Sequence, residues 1–331
     1  MTYLLAPNKH KSYSNELSIT EREDGFGYLI GKSPVMDQVY HLIKKVAKSR
    51  ASVFITGESG TGKELVARSI HKYSDRSEGP FVAINCGAIT TELIGSALFG
   101  HERGSFTGAS QPHQGYFEQA SGGTLFLDEL PEAAYEFQVK LLRVLETSRV
   151  IPVGGKRQID VDVRVIVATN RKPELAIKDG KLREDLYHRV NTFPIFLPPL
   201  RQRGSDVQLL AHYYLDFFNN EMGKNYSFSD AALQTLQTLR WPGNVRQLKN
   251  CIQRALIISD GIVEVEHLCF NFDEFTNEEI LDNQISIPLN IPLSEAQKLF
   301  VKAVLMDCEQ DANKASNSLG ISTKNLNHLL E

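Results

Sequence analysis

Apolar runs and helical stripes alternate along the chain from Phe26 to about Leu200. Val53, Phe54, Ile55 and Thr56 form a short run of strand formers that ends at a glycine. Residues 63–73 follow, with Leu65, Val66 and Ile70 spaced for one side of a helix. Apolar runs at 81–84, 124–127, 163–168 and 194–197 predict four more strands. Apolar strands separated by helices predict a parallel sheet covered on both faces, hence an α/β fold. Beyond Arg201 the strand pattern stops, and 207–219, 229–239 and 244–259 read as helices of a small helical unit.

The C-terminal stretch has a different pattern. No lysine or arginine occurs between Arg254 and Lys298, whereas Asp273, Glu274, Glu278, Glu279 and Asp282 do, which predicts a solvated acidic linker. Three short helices are then expected. Ser294 and Gln297 are spaced as a capping box, 311–319 is a second helix ended by Gly320, and Ser322 caps a third. This is the outline of a helix-turn-helix. The expected organisation is a polar tail over 1–25, an α/β unit over 26–200, a helical unit over 201–270, a linker over 271–288 and an all-α module over 289–331.

Composition narrows the picture. The chain has 331 residues, enough for two or three compact units. A net charge of −4 argues against a protein that coats nucleic acid non-specifically, and leaves local DNA contact open. Cys86, Cys251, Cys269 and Cys308 are far apart and are read as small buried apolar residues. The nine histidines are scattered, so no metal cluster is expected. The N-terminus is not a signal peptide, and no apolar run approaches the roughly 20 residues of a membrane helix. A cytoplasmic protein without a membrane partner is expected.

The chemistry begins after the first strand. Gly57-Glu58-Ser59-Gly60-Thr61-Gly62-Lys63-Glu64 opens a helix and fits a phosphate-binding loop except at its last position. Glycines let backbone N–H groups face phosphates, and the helix N-terminus adds positive potential. Lys63 is expected to reach the β- and γ-phosphates of ATP. Glu64 stands where a Mg²⁺-binding hydroxyl is usual, and either Thr61 or water would replace that hydroxyl. A second strand ends in Asp128 and Glu129, the first placed to hold Mg²⁺ and the second to polarise the attacking water. Two acids at a strand end also start turns, but beside the phosphate loop the nucleotide reading is the stronger. Asn170, after Val167-Ala168-Thr169, either senses the γ-phosphate or caps a turn.

The stretch from Leu98 through His101 and Glu102 to Ala109 closely resembles the loop signature of sigma-54-dependent activators, the bacterial enhancer-binding proteins. The resemblance runs from about Ile30 to Ser259 and includes Glu64, 81–86, Asp128-Glu129, Arg183-Glu184-Asp185-Leu186 and Trp241-Pro242-Gly243-Asn244-Val245-Arg246. It implies an AAA+ P-loop sheet with a helical lid and a Fis-like helix-turn-helix. It also implies a hexameric ring that uses ATP and Mg²⁺ to remodel RNA polymerase carrying sigma-54. Gly104, Ser105, Phe106, Thr107, Gly108 and Ala109 resemble the loop that contacts sigma-54, with Phe106 and Thr107 at its tip. Asn85 resembles the asparagine that restrains Glu129. Arg183 and Arg189 resemble arginines presented to a neighbour's γ-phosphate, and Arg246 resembles the sensor arginine of the lid. Residues 149–161 resemble the second inserted loop.

The chain departs from that pattern in three places. Ser105 stands where the family usually has alanine. The last helix offers Lys324, Asn325, Asn327 and His328 but one lysine only, where several cations are usual. It therefore either contacts enhancer DNA through those residues or serves as a shortened packing module. The 25 residues ahead of Phe26 are too few for a sensory domain, so control is expected from a partner in trans or from expression level. The leading expectation is an ATP-driven activator. The alternatives are an ATP-binding regulator with weakened activation or DNA binding, and another AAA+ remodeller such as a helicase loader; the 104–109 loop argues against the last.

Overall fold

The computed structural model describes residues 25–88, 91–106, 109–268, 297–298, 300–302, 304–305, 311–319 and 323. The chain divides into two compact units, 1–270 and 271–331.

The first unit is built on five parallel strands: β1 (Val53–Thr56), β2 (Phe81–Asn85), β3 (Thr124–Asp128), β4 (Arg164–Thr169) and β5 (Phe193–Phe196), in the order β2-β3-β4-β1-β5. Val53 lies opposite Ile166 on one side and Phe193 on the other, and Asn85 lies opposite Asp128. Successive side chains point to opposite faces. Phe54, Leu125, Leu127, Val165 and Val167 pack under α3 (Tyr135–Thr147) and α4 (Glu184–Val190). Val53, Ile55, Phe126, Ile166 and Ala168 pack under α1 (Pro34–Ala47) and α2 (Lys63–Lys72). Both faces are covered, so β4 is buried at every residue, Arg164 included. Arg164 escapes an unpaired interior charge by donating to the carbonyls of Val46 and Ala47 at the end of α1, at 2.7 and 2.8 Å. The loops after β1, β3 and β4 leave the same end of the sheet. This brings residues 57–64, Asp128-Glu129 and Asn170 together, as expected for ligand sites of open α/β sheets.

The helical part holds α5 (Asp206–Met222), α6 (Asp230–Thr238) and α7 (Asn244–Ile258) around a core of its own. Ser229 caps α6, its hydroxyl accepting from the Ala232 amide at 3.3 Å. Gly223, in the left-handed region at φ 64°, ends α5. Strands do not stop at Arg201 as the pattern suggested. Ser227–Phe228 pairs in parallel with Ile262–Val263, and a two-residue pairing is too short to leave a periodicity. Trp241 is 0% exposed, takes φ 54°, and donates its indole N–H to Leu236 O at 2.8 Å, fixing the turn before α7.

In the second unit, Ala312–Leu319 is helical, and Asp311 Oδ1 accepts from the Lys314 amide at 3.2 Å. The acidic linker, the Ser294 cap and Lys324, Asn325, Asn327 and His328 lie outside the described residues.

Trp241→Ala is expected to destabilise the chain by about 3–5 kcal/mol, through the cavity and the freed Leu236 carbonyl. Urea unfolding of the two proteins measures the difference.

Candidate functional site

The phosphate-loop segment leaves β1 with the Gly57 amide bonded to Thr169 O at 3.3 Å. Gly60 and Gly62 take φ 76° and 102°, and a side chain at Gly60 would bring its Cβ within 2.3 Å of Gly243 O. Glycine is therefore required there on two counts. Lys63, 7% exposed, folds back over the loop. Its ammonium donates to Gly57 O at 3.0 Å and Glu58 O at 3.4 Å, and stands 3.7 Å from Glu129 Oε1. Glu64 is held by Arg68 one turn on, at 2.7 and 2.9 Å. The Thr61 hydroxyl is buried and donates to Glu58 O at 2.7 Å.

Asp128 and Glu129 end β3 side by side. Burial, then the neighbouring Glu129 charge, raise the Asp128 carboxyl above the ordinary aspartate range, and Lys63 opposes them. Glu129 sits in the left-handed region at φ 53°, ψ 48°, a strained position for a residue with a Cβ. Its Oε2 accepts from the Asn170 backbone N–H at 3.2 Å and lies 3.5 Å from the Thr169 hydroxyl. Asn170 thus meets Glu129 through its backbone. Asn85 does not touch Glu129: its Oδ1 accepts from the amides of Gly87 and Ala88, at 2.9 and 3.1 Å, and stabilises its own turn.

Arg246, from the first turn of α7, reaches this loop. Its guanidinium donates to Ser59 Oγ at 3.2 Å and its amide to Gly60 O at 3.3 Å. Arg183 and Arg189 do not join it. Arg183 grips Asp185 with two bonds, at 2.9 and 2.5 Å, and lies 4.6 Å over the Tyr135 ring. Arg189 donates to Leu145 O at 2.7 Å.

A hollow of about 160 Å³ adjoins Thr61 and Gly62, walled mainly by Leu29, Leu65, Tyr213, Phe217 and Val245, with Arg203 and Lys249 also in its lining. It offers a largely apolar slot with two cationic side chains at its edge, beside the glycine-rich loop. Sequence reading missed these walls. The signal available was an aromatic pair, Tyr213 and Phe217, four residues apart on one helix face.

Farther along, Gly104 N–H bonds Ala109 O at 2.8 Å and Ala109 N–H bonds Phe106 O at 3.0 Å, closing a tight loop. Phe106 is 38% exposed, its ring edge-on to His101 at 5.0 Å. Thr107 and Gly108 lie outside the described residues. The segment expected to form a second loop is a hairpin, Arg149–Val150 paired antiparallel with Ile159–Asp160. Its Gly154 packs so closely on Ser105 that a Cβ there would lie 2.6 Å from Ser105 Cβ. The Ser105 hydroxyl is enclosed at this contact without a hydrogen-bond partner.

Among the described residues no cluster of three or more His, Cys, Asp or Glu could hold a metal ion, and no helix is long and apolar enough to cross a membrane. Cys86 and Cys251 are buried cysteines; burial, with the Asp128 and Glu129 charges, pushes the Cys86 thiol up to about 12. Cys269 and Cys308 lie outside the described residues.

With this geometry in hand, the chain can be set beside known proteins. The profile of the Sigma-54 interaction domain matches residues 29–196, and that of the AAA+ ATPase lid domain matches residues 201–283. A Nif-specific regulatory protein of Sinorhizobium fredii is 45% identical over 259 residues, which cover 78% of this chain and 44% of that one. The regulatory protein LuxO of Vibrio vulnificus is 41% identical over 309 residues, 91% of this chain and 68% of LuxO. The crystal structure of NtrX from Brucella abortus in complex with ADP superposes with a TM-score of 0.68 at 34% identity, over 91% of this chain and 68% of that one. The chain thus spans less than half of the first relative and about two thirds of the other two.

The Asp128 environment gives a signed prediction. Its folded pKa is raised above the ordinary 3.8, so ionising it costs native stability, fully above the raised value and not at all below the ordinary one. Asp128→Asn should therefore raise the thermal midpoint of the nucleotide-free protein near about pH 8, with the gain fading towards about pH 4. An equal gain at both ends of the range would show that the carboxyl is not strained by its surroundings.

Proposed function

The chain belongs to the sigma-54 interaction domain family of AAA+ proteins, and from that premise we propose that it hydrolyses ATP to remodel RNA polymerase carrying sigma-54. The observation that carries the ATPase reading is the meeting of Lys63 and Glu129 at 3.7 Å over the phosphate loop, with Arg246 closing on the same loop from α7. A lysine, a carboxylate base and a lid arginine around one nest of amides are the parts that phosphoryl transfer needs. The Lys63 ammonium, still held by the Gly57 carbonyl, would turn its remaining hydrogens from Glu129 to the β- and γ-phosphates. That exchange frees Glu129 to polarise a water, with Asn170 beside it.

The donor set suits Mg²⁺, a hard cation that prefers carboxylate and phosphate oxygen. Asp128 is partly buried and only partly compensated by Lys63 and the Glu129 amide, and would hold the ion with water in place of the hydroxyl that Glu64 displaces. Bound there, Mg²⁺ supplies charge neutralisation on the phosphates. Thr61, committed beneath the loop to Glu58, is the weaker of the two expected replacements.

Arg183 and Arg189, both outside the site of their own chain, are assigned to a neighbour's γ-phosphate in a closed head-to-tail ring, a hexamer by family likeness. Asn85 is assigned to restrain Glu129 in another nucleotide state. The loop from Gly104 to Ala109 is assigned to sigma-54, with Phe106 as its apolar contact. The 289–331 module would bring enhancer DNA, a partner in trans would supply control, and the whole would act in the cytoplasm.

Two substitutions separate the parts of this reading. Glu129→Gln should retain ATP binding and lose hydrolysis by about 10²-fold or more; normal turnover removes Glu129 from the mechanism. Phe106→Ala should hydrolyse ATP normally yet fail to convert closed complexes on a sigma-54 promoter. Unchanged open-complex formation by that variant would take the loop out of the partner contact.

A further inference from the structure

A loop that turns its N–H groups towards an anion must turn its carbonyls the other way, and buried carbonyls need donors. In residues 57–61 each carbonyl has one. Gly57 O takes Lys63 and Glu58 O takes the Thr61 hydroxyl, both from within the loop segment. The next three are served from elsewhere. Ser59 O accepts from Asn244 Nδ2 at 3.0 Å, Gly60 O from the Arg246 amide at 3.3 Å, and Thr61 O from Arg203 Nη2 at 2.9 Å.

Two of these donors are buried side chains to which the reading above gives no part in holding the loop. Asn244 is 0% exposed and sits at φ 52°, a left-handed position that asparagine and glycine tolerate. Its amide is used on both sides. Oδ1 accepts from the Leu200 amide at 2.8 Å, and Nδ2 also reaches Glu58 Oε2 at 3.1 Å. Arg203 is 2% exposed and divides its fork between Thr61 O and Pro198 O, the latter at 2.9 and 3.0 Å. Burial weighs against its charge and nearby buried Asp206 partly offsets this; the Asp206 carboxylate accepts from the amides of Lys32 and Ser33 and from the Ser33 hydroxyl, at 2.6–3.0 Å. On the rim, Arg201 grips the Glu58 carboxylate with two bonds.

We infer that Asn244 and Arg203 are positioning residues that hold the phosphate loop from behind by its Ser59 and Thr61 carbonyls, so that its amides face the nucleotide phosphates before binding. This rests on the nucleotide reading of the site and deepens it. The two residues touch no phosphate. They act through the loop backbone, and they link its shape to α5, α7 and the Pro198–Leu200 connection, so movement of the helical part is felt at the phosphates.

Asn244→Gly is the discriminating variant, because glycine keeps the left-handed backbone and removes only the amide. Binding of fluorescently labelled ADP and of equally labelled adenosine is measured by titration, with circular dichroism to confirm cooperative unfolding. The expected result is an ADP affinity lower by about tenfold or more, with adenosine affinity within about twofold of wild type. Arg203→Lys keeps the charge but loses the planar fork and should lower ADP affinity as well; because Arg203 also lines the hollow, the adenosine comparison is made on Asn244→Gly alone. Unchanged ADP binding in both variants, or equal losses for the two probes, overturns the inference, since a general loss of structure would not spare the base. A wild-type chain that takes up neither probe overturns instead the nucleotide reading beneath it.

Discussion

The site depends on one constraint: peptide groups cannot offer their hydrogens to an anion unless their oxygens are satisfied on the far side. Residues 57–61 meet it with donors from three directions, the Lys63 ammonium, the Thr61 hydroxyl and the lid residues Arg203, Asn244 and Arg246. The glycines follow from it. Gly60 presses on Gly243 at the start of α7, where any side chain would collide, so lid and loop approach backbone to backbone. The helical part is therefore an integral wall of the phosphate site.

Charge completes the arrangement. Lys63 stands between loop carbonyls and Glu129, while Asp128 beside it remains short of compensation and is pushed towards its neutral form. A site with one partly matched lysine and two adjacent acids is electrostatically unfinished. On the proposed reading, a ligand with negative oxygens for Lys63 and a cation for Asp128 would complete it. The strained backbone at Glu129 belongs to the same picture, since left-handed geometry on a residue with a Cβ persists only where its surroundings impose it.

Much of this was legible in the chain because each signal was local. Residues 53–56 and 124–127 announced strands as short runs of strand formers, with the glycine-rich loop to Lys63 after the first and Asp128-Glu129 at the end of the second. What stayed hidden is long-range. Arg203 and Asn244 lie 142 and 185 residues from the carbonyls they serve, and nothing in their own neighbourhoods indicates a carbonyl to be held. The hollow beside the loop was hidden likewise, because Leu29 and Tyr213 become neighbours only when the fold closes. Asn85 shows the limit of resemblance: its role is carried by motif position, while its amide in this structure serves the turn at Gly87.

The loop that ends at Ala109 is governed by a smaller version of the same rule. Ser105 carries a hydroxyl into a contact with Gly154 where it finds no partner, at a cost of about 1–3 kcal/mol for a buried polar group left unpaired. The methyl group of an alanine would carry no such cost. Gly154 leaves no room for the contact to tighten, and its φ of 76° is closed to most side chains, so the hairpin fixes the resting place of the loop from one side. The resting loop is thus held by shape and opposed by an unpaired hydroxyl.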